Sequence, residues 1–325
     1  MAGSSDRRSP STEPTEPSDG DSGPDRPIAE LEPAEVARQV RAALARRASL
    51  AHADFPVRLF DRGADGIPRL IIERYGAAIR VSGGPEKASL LPAIRDALGD
   101  PPELFHRFGH LAMGGPDEGR RVVVEQSLKF EVGLLPHRNT GLFLDAREAR
   151  RWVRAHAEGR RILNLFAYTC AFGVAAASGG ARATTNVDAV PSTLEKGRRN
   201  YELNGLRHDG RTFLKSDVLE ALKRARKSKG AFDGIVLHPP PLVTGGDRGR
   251  RTDGAKDFEK LVTACRDVLA PGGWLLVAWT ATELPEQALT DAVGLGGPRE
   301  IVRSGEDFTV TAEQPALRAL AYFAP

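Results

Sequence analysis

From about residue 160 onward the chain repeats one rhythm, a short apolar run followed by a helical stretch, and this restricts its fold more than any single motif. Arg161–Phe166, Ala183–Val187, residues 211–215, Phe232–Leu237 and Trp274–Thr280 read as strands. Residues 170–178, 191–204, 217–227 and 254–269 read as the helices between them. Strands alternating with helices predict a parallel sheet covered on both faces. Ligands of such sheets bind beyond the carboxyl ends of the strands, near the point where strand order reverses. The candidate chemistry is therefore sought at those ends.

The segments before it are of another kind. Residues 1–31 are rich in Ser, Pro, Asp, Gly and Glu and hold seven acids against three arginines. They contain too little apolar surface to offset the entropy of ordering, which predicts a disordered tail. The whole chain carries a net charge of +3, so the part after the tail is the more basic one and tolerates a polyanion. Residues 32–54 hold Val36, Val40, Ala43, Leu44 and Leu50 at helical spacing, with Arg38, Arg41, Arg46 and Arg47 between them, an amphipathic helix with a basic outer face. Residues 55–137 read as a small α+β unit. Its predicted strands are 57–60, 70–73, 77–81, 121–125 and 128–132, its helix is 87–98, and Gly- and Asp-rich turn chemistry lies at 61–68.

The longest apolar run, Trp274–Trp279, is too short to cross a bilayer, and no secretory signal is visible at the start. Cys170 and Cys265 make neither a disulfide framework nor a four-ligand zinc site on their own, so no metal and a reduced cytoplasmic setting are expected.

At the first strand of the rhythm, Ile162-Leu163-Asn164-Leu165-Phe166 runs into Ala167-Tyr168-Thr169-Cys170-Ala171-Phe172-Gly173. Small residues before a helix let a ligand approach backbone N–H groups. The stretch lacks both a G-x-G-x-x-G fingerprint and a Walker A lysine. The second strand ends at Asp188, about twenty residues past this loop, where doubly wound folds place an acid that accepts from a ribose diol. Asp188 could equally cap the helix that begins at Pro191. Asp217, after the third strand, could accept from an exocyclic adenine amine or serve only as an N-cap. The fourth strand ends in His238-Pro239-Pro240-Pro241, where the prolines fix φ and stop the strand.

Taken together, LNLFAYTCAFGVAAASGGA, VDAVPSTLEKGRRNYELNGL, SDVLEAL, FDGIVLHPPPLV and LAPGGWLLVAWT resemble a class I S-adenosylmethionine-dependent methyltransferase. The closer resemblance is to the bacterial 23S ribosomal RNA large-subunit methyltransferases. It is carried by NTGLFLDAREARRWV before the first strand and by RLFDRGADGIPRLIIERYG in the small unit, and it covers about residues 55–325. It implies a Rossmann-like seven-stranded sheet over residues 138–325 behind a small N-terminal α+β domain, with S-adenosylmethionine as cofactor and 23S ribosomal RNA as partner. It also implies roles. Phe143, Asp145 and Arg147 would line the cofactor pocket. Asn164, Phe166, Tyr168 and Thr169 would form its floor. Asp188 would hold the ribose, and Asp217 would lie near the adenine. His238, Pro239 and Pro240 would face the methyl acceptor. A PUA module that several members carry is not expected, because residues 1–50 are too short and polar for one.

Two departures matter. The family opens its Pro-Pro motif with an acid or Asn and follows it with a hydroxyl residue and an aromatic. This chain has His238 and Pro241-Leu242. A neutral imidazole accepts one hydrogen bond without a negative charge. The substitution leaves two readings: altered acceptor chemistry with His238 as base, or a degenerate homologue that keeps the cofactor and serves as an RNA-binding or assembly factor. A methyltransferase of a small molecule or protein is the third reading. Relatives that methylate a cytosine ring carbon need a nucleophilic cysteine after the fourth or fifth strand, and none stands at 238–242 or 278–281. Among the basic clusters, Arg248, Arg250 and Arg251, in a Gly-rich loop just past the Pro motif, are the candidates for RNA contact.

Overall fold

The computed structural model describes residues 31–50, 52–114, 117, 119–135, 139–228, 231–240, 254–279, 286–311 and 317–325. The predicted tail and the Arg248, Arg250 and Arg251 cluster lie outside the described residues.

Helix α1 (Pro33–Arg46) opens on a proline at its first turn and buries Val36, Val40 and Ala43, one helical face. It packs on a five-stranded sheet of order β1 (Val57–Asp61), β2 (Ile71–Tyr75), β3 (Ala78–Gly83), β4 (Leu104–Phe108) and β5 (Leu111–Met113). Only β3 and β4 run parallel, and α2 (Leu91–Ala97) is the crossover between them. Phe60, Ile72, Val81, Ile94 and Phe108 join the α1 face in one core.

Strands β6 (Arg120–Glu125) and β7 (Leu128–Gly133) form a hairpin with Gln126 and Ser127 at its tip, both at positive φ. Sequence reading places this hairpin in the small unit of residues 55–137. By contact it joins both units: Arg121 pairs with Glu103 of the small one, while Asn200 and Asn204 bond the backbone of Glu131 and Lys129. Its Phe130 and Val132 share a core with Val174, Leu194 and Tyr201. The pairing is between distant segments, which local periodicity cannot show.

Helix α3 (Arg147–Ala155) leads into the large sheet, built from β8 (Arg161–Leu165), α4 (Ala171–Ser178), β9 (Ala183–Asp188), α5 (Pro191–Leu203), β10 (Phe213–Lys215), α6 (Val218–Lys227), β11 (Phe232–Leu237), α7 (Gly254–Arg266), β12 (Leu269–Trp279), α8 (Glu286–Val293), β13 (Glu300–Arg303) and β14 (Arg318–Phe323). The seven strands stand in the order β10-β9-β8-β11-β12-β14-β13. All neighbours are parallel except the pairs of β14 with β12 and with β13. The rhythm read from sequence holds; helices α3 and α8 and strands β4, β5, β13 and β14 are elements it did not assign.

The chain goes outward from β8 through β9 to β10, then returns to β11 on the other side. The reversal therefore falls between β8 and β11. Leu165 is level with Val187 on one side and Leu237 on the other. This register brings Phe166, Asp188 and His238, three residues far apart in sequence, into one row at the mouth of the crevice.

Candidate active site

The loop leaving β8 is bent in an unusual way. Phe166, Tyr168 and Cys170 have φ of 55°, 49° and 60°, the left-handed region that residues with a side chain seldom adopt. Each such residue costs of order 1–3 kcal/mol and persists only where its surroundings over-determine it. The surroundings do so here. Tyr168 N–H donates to Asp188 Oδ2 (2.8 Å), Ala167 N–H to Val187 O (2.9 Å), and the Thr169 hydroxyl to Gly141 O (2.5 Å). Asn200 Nδ2 donates to Thr169 O (3.0 Å). Helix α5 presses on the same loop through Gly197, where a Cβ would stand 2.3 Å from Cys170 Sγ. The loop feeds directly into α4, whose first N–H groups have no partner within the helix.

Asp188 ends β9 and turns toward this loop. Besides Tyr168 N–H on Oδ2, its Oδ1 accepts from Val190 N–H (2.9 Å) and Thr193 Oγ1 (3.4 Å). A carboxylate has about four acceptor positions, so one remains, and the long Thr193 contact is the easiest to exchange. Asp188 thus braces the turn before the helix at Pro191 without capping it, since Val190 is the N-cap and no side chain caps that helix, and it keeps an acceptor position open. Ser216 N–H bonds Asp188 O (3.0 Å), which sets the start of α6 beside it. Asp217 is exposed there and caps α6 by accepting from Glu220 N–H (3.1 Å).

An aromatic set closes the other side. Phe143, 38% exposed, stands 5.4 Å from Tyr168 and 5.7 Å, edge-on, from His238. Phe172 of α4 meets the opposite side of the His238 ring edge-on at 5.8 Å. Pro239 is buried and Pro240 exposed. Among the described residues nothing hydrogen-bonds the His238 ring. Burial first, and the Arg150 charge second, hold the imidazole at about 4, so it is neutral at physiological pH.

Arg150 and Glu125 were not singled out by sequence reading. Arg150 Nε and Nη2 each bond a different oxygen of Glu125 at 2.7 Å, a buried bidentate pair, and Nη1 donates to Phe143 O at 2.8 Å. One guanidinium thus holds Phe143 in place and sits electrostatically behind both His238 and Asp145. Asp145 is its counterpart. No described residue donates to its carboxyl, although Arg58, Arg150 and Arg62 all act on it through space. Burial outweighs them and pushes the carboxyl up. Tyr75 OH, 3.0 Å from Thr140 Oγ1 and 3.0 Å from Glu73, ties this segment to the small sheet.

Two of the expected cofactor residues lie elsewhere. Arg147 is buried, stacked 4.2 Å over Phe55, and spends its nitrogens on Asp307 (2.6 Å), Pro56 O (3.2 Å) and Glu148. It fastens the segment around Asp307 to the small unit with four of its five N–H groups. Asn164 donates to Asn186 Oδ1 (2.9 Å), the side chain against which Gly173 of α4 packs, so it braces β8 against β9. Strand parity is the signal for this: Leu163 and Leu165 face one core, and Asn164 faces the other way. Phe166, Tyr168, Thr169 and Asp188 are brought together, with Phe143 and His238 beside them and Asp145 two residues on from Phe143. Two open grooves, of about 620 and 310 Å³, flank Asp54 along α3 and β6; none of these seven residues lines either.

Among the described residues there is no cluster of His, Cys, Asp and Glu that could hold a metal ion, and no helix long and apolar enough to cross a membrane.

Residues 109–294 match the family model described as S-adenosylmethionine-dependent methyltransferase. The chain is 29% identical over 281 residues to the ribosomal RNA large subunit methyltransferase I of Erwinia tasmaniensis, covering 80% of this chain and 70% of that protein. It is 31% identical over 252 residues to the protein of that name from Aeromonas hydrophila, covering 71% and 62%. It is 30% identical over 290 residues to a ribosomal RNA large subunit methyltransferase of Deinococcus radiodurans, covering 81% and 70%. Among solved structures, the chain superposes on a candidate S-adenosylmethionine-dependent methyltransferase from Streptococcus mutans with a TM-score of 0.81 and 22% identity, covering 91% of this chain and 82% of that one.

Proposed function

The chain belongs to the S-adenosylmethionine-dependent methyltransferase family, and on that footing we propose that it transfers a methyl group to a nitrogen of a nucleotide in large-subunit ribosomal RNA, the 23S molecule of bacteria, in the cytoplasm. The observation that carries the reading is the strained Phe166–Cys170 loop, pinned by Asp188 and facing the aromatic set around His238.

The residues present fit the cofactor. Asp145 is a carboxylate without a donor, suited to a cationic group. Asp188 keeps an acceptor position for a sugar hydroxyl. Phe143 and Tyr168 supply apolar ring surface beside the loop. When bound, S-adenosylmethionine supplies an electrophilic methyl group on a sulfonium. Asp217, exposed at the head of α6, can add an acceptor toward an adenine amine while it caps the helix.

His238 governs the acceptor. Neutral and flanked by Phe143 and Phe172, its ring can accept one hydrogen bond from an N–H group and later take that proton. A nitrogen that has gained a methyl group while still bearing its proton is acidic enough to give it to so weak a base. A ribose hydroxyl would have to lose its proton before it attacks, which so weak a base does not achieve. Carbon methylation is disfavoured as well: burial pushes the thiols of Cys170 and Cys265 up, Cys170 further by the nearby Asp188 carboxylate, so neither is a ready nucleophile. Transfer to nitrogen needs mainly positioning and exclusion of water.

The ribosomal RNA reading is supported by the relatives named for it and by the basic surplus of the chain after its acidic tail. Mass spectrometry of ribosomal RNA nucleosides from cells with and without this protein tests it. A single N-methylated nucleoside disappears from the large-subunit RNA if the reading is right; an unchanged nucleoside profile refutes it.

A further inference from the structure

Helix α5 carries a row of polar side chains against β7. Asn204 bonds both N–H and C=O of Lys129, at 2.8 and 2.7 Å, and Asn200 accepts from Glu131 N–H at 2.8 Å. Four residues along the helix correspond to two along the strand, about 6 Å in each case. Lys196, four residues before Asn200, therefore stands one step further on, toward Gly133. Gly133 N–H is bonded to Thr140 O, in the segment that leads to Phe143. The next residue, Gly197, lies against Thr169 and Cys170 of the strained loop. Lys196 is thus at the rim of the pocket.

Its surroundings are electrostatically unbalanced. Glu131 is the carboxylate that faces Lys196, Arg199 and Arg120 together. Both oxygens of Glu131 are bonded by Arg199, at 2.7 and 3.0 Å. Lys196, half-buried, has no hydrogen bond or ion pair with any described residue. Burial, helped by the Arg199 and Arg120 charges, lowers its hold on its proton despite Glu131. The fold gains nothing from keeping such an ammonium here. An arriving anion would supply the missing counter-charge.

We propose that Lys196, backed by Arg199 and Arg120, receives a backbone phosphate of the RNA substrate next to the nucleotide that enters the pocket. The inference rests on the RNA reading above and adds to it a location, on α5 rather than in the loop after the Pro motif. A diester phosphate, a monoanion carried along with the nucleotide it adjoins, suits an ammonium at the rim of a nucleotide pocket.

The test is titration of fluorescein-labelled fragments of bacterial large-subunit ribosomal RNA with the full-length protein, against salt. Lys196→Gln is expected to bind about 5- to 10-fold more weakly at ~0.1 M salt, with a log–log salt slope shallower by about 1. Lys196→Arg is expected to restore most of the affinity. S-adenosylhomocysteine affinity, measured by calorimetry on the same samples, is expected to be unchanged and shows that the variants are folded. If the wild-type protein binds the RNA and Lys196→Gln binds it equally with the same slope, the phosphate site is overturned while the RNA reading stands. If the wild type does not bind the RNA, the RNA reading itself falls. If millimolar inorganic phosphate binds in a Lys196-dependent way and the RNA affinity does not depend on Lys196, the site is one for a small anion and the proposal is wrong.

Discussion

The ends of β8 and β9 and the end of β11 stand in one row, yet they are built in opposite ways. At the first, three left-handed residues sit in a loop that donates to Asp188 and Gly141 O and accepts from Asn200. At the second, the His238 ring stands in T-shaped pairs with Phe143 and Phe172 and has no hydrogen bond among the described residues. The first end is finished before any ligand arrives, which suits a constant partner such as a cofactor. The second has polar capacity left over, which suits a group that enters and leaves. Asp188 and Asp145 repeat the contrast in carboxylates: among the described residues, one accepts three hydrogen bonds and the other none.

The contrast can be broken first at Arg150. This residue carries the wall of the open end on its guanidinium while paired to Glu125. Arg150→Met leaves the Glu125 carboxylate buried and alone, a change that costs roughly 3–5 kcal/mol in comparable pairs. Urea unfolding measures it, and a loss below about 1 kcal/mol would mean that Phe143 is held by packing instead.

His238 offers a smaller, pH-dependent effect. Its folded-state value, about 4, lies below the ordinary 6.5, so the unfolded chain binds the proton more readily. That penalty is absent above about pH 6.5 and grows as the pH falls toward 4. Thermal melts are expected to show the wild type losing stability over this window by more than His238→Asn does. Equal slopes would place the ring in water and remove the argument that it is a weak base.

Asp217 sharpens the finished end with the smallest effect. As a cap, Asp217→Ala costs about 1 kcal/mol of stability. Because its one defined bond is to Glu220 N–H, S-adenosylhomocysteine affinity is expected to change less than about 3-fold. A larger drop would make the adenine contact its main role.

Much of the finished end was legible in the sequence, because strand, loop and helix there are consecutive and Asp188 falls at a fixed offset from the loop. The open end was legible only in part. His238 is marked by the prolines after it, but the pair that supports its neighbour joins residues 125 and 150, and no local pattern links them. Arg147 and Asn164 show the converse error. Each sits inside a stretch that reads as pocket, and each is claimed by a partner that appears only on folding, Asp307 far along the chain and Asn186 on the next strand. The two strands of hairpin β6–β7 were legible from their spacing, but not its contacts with Asn200 and Asn204, which join segments far apart in the chain.

Calorimetric titration of S-adenosylhomocysteine into the wild type and Asp188→Ala addresses the pocket most directly. Saturable binding by the wild type is predicted, weakened about 10- to 100-fold in the variant, as expected for losing a charged acceptor that also braces the loop. Binding of equal strength to both proteins, or none to the wild type, would contradict it.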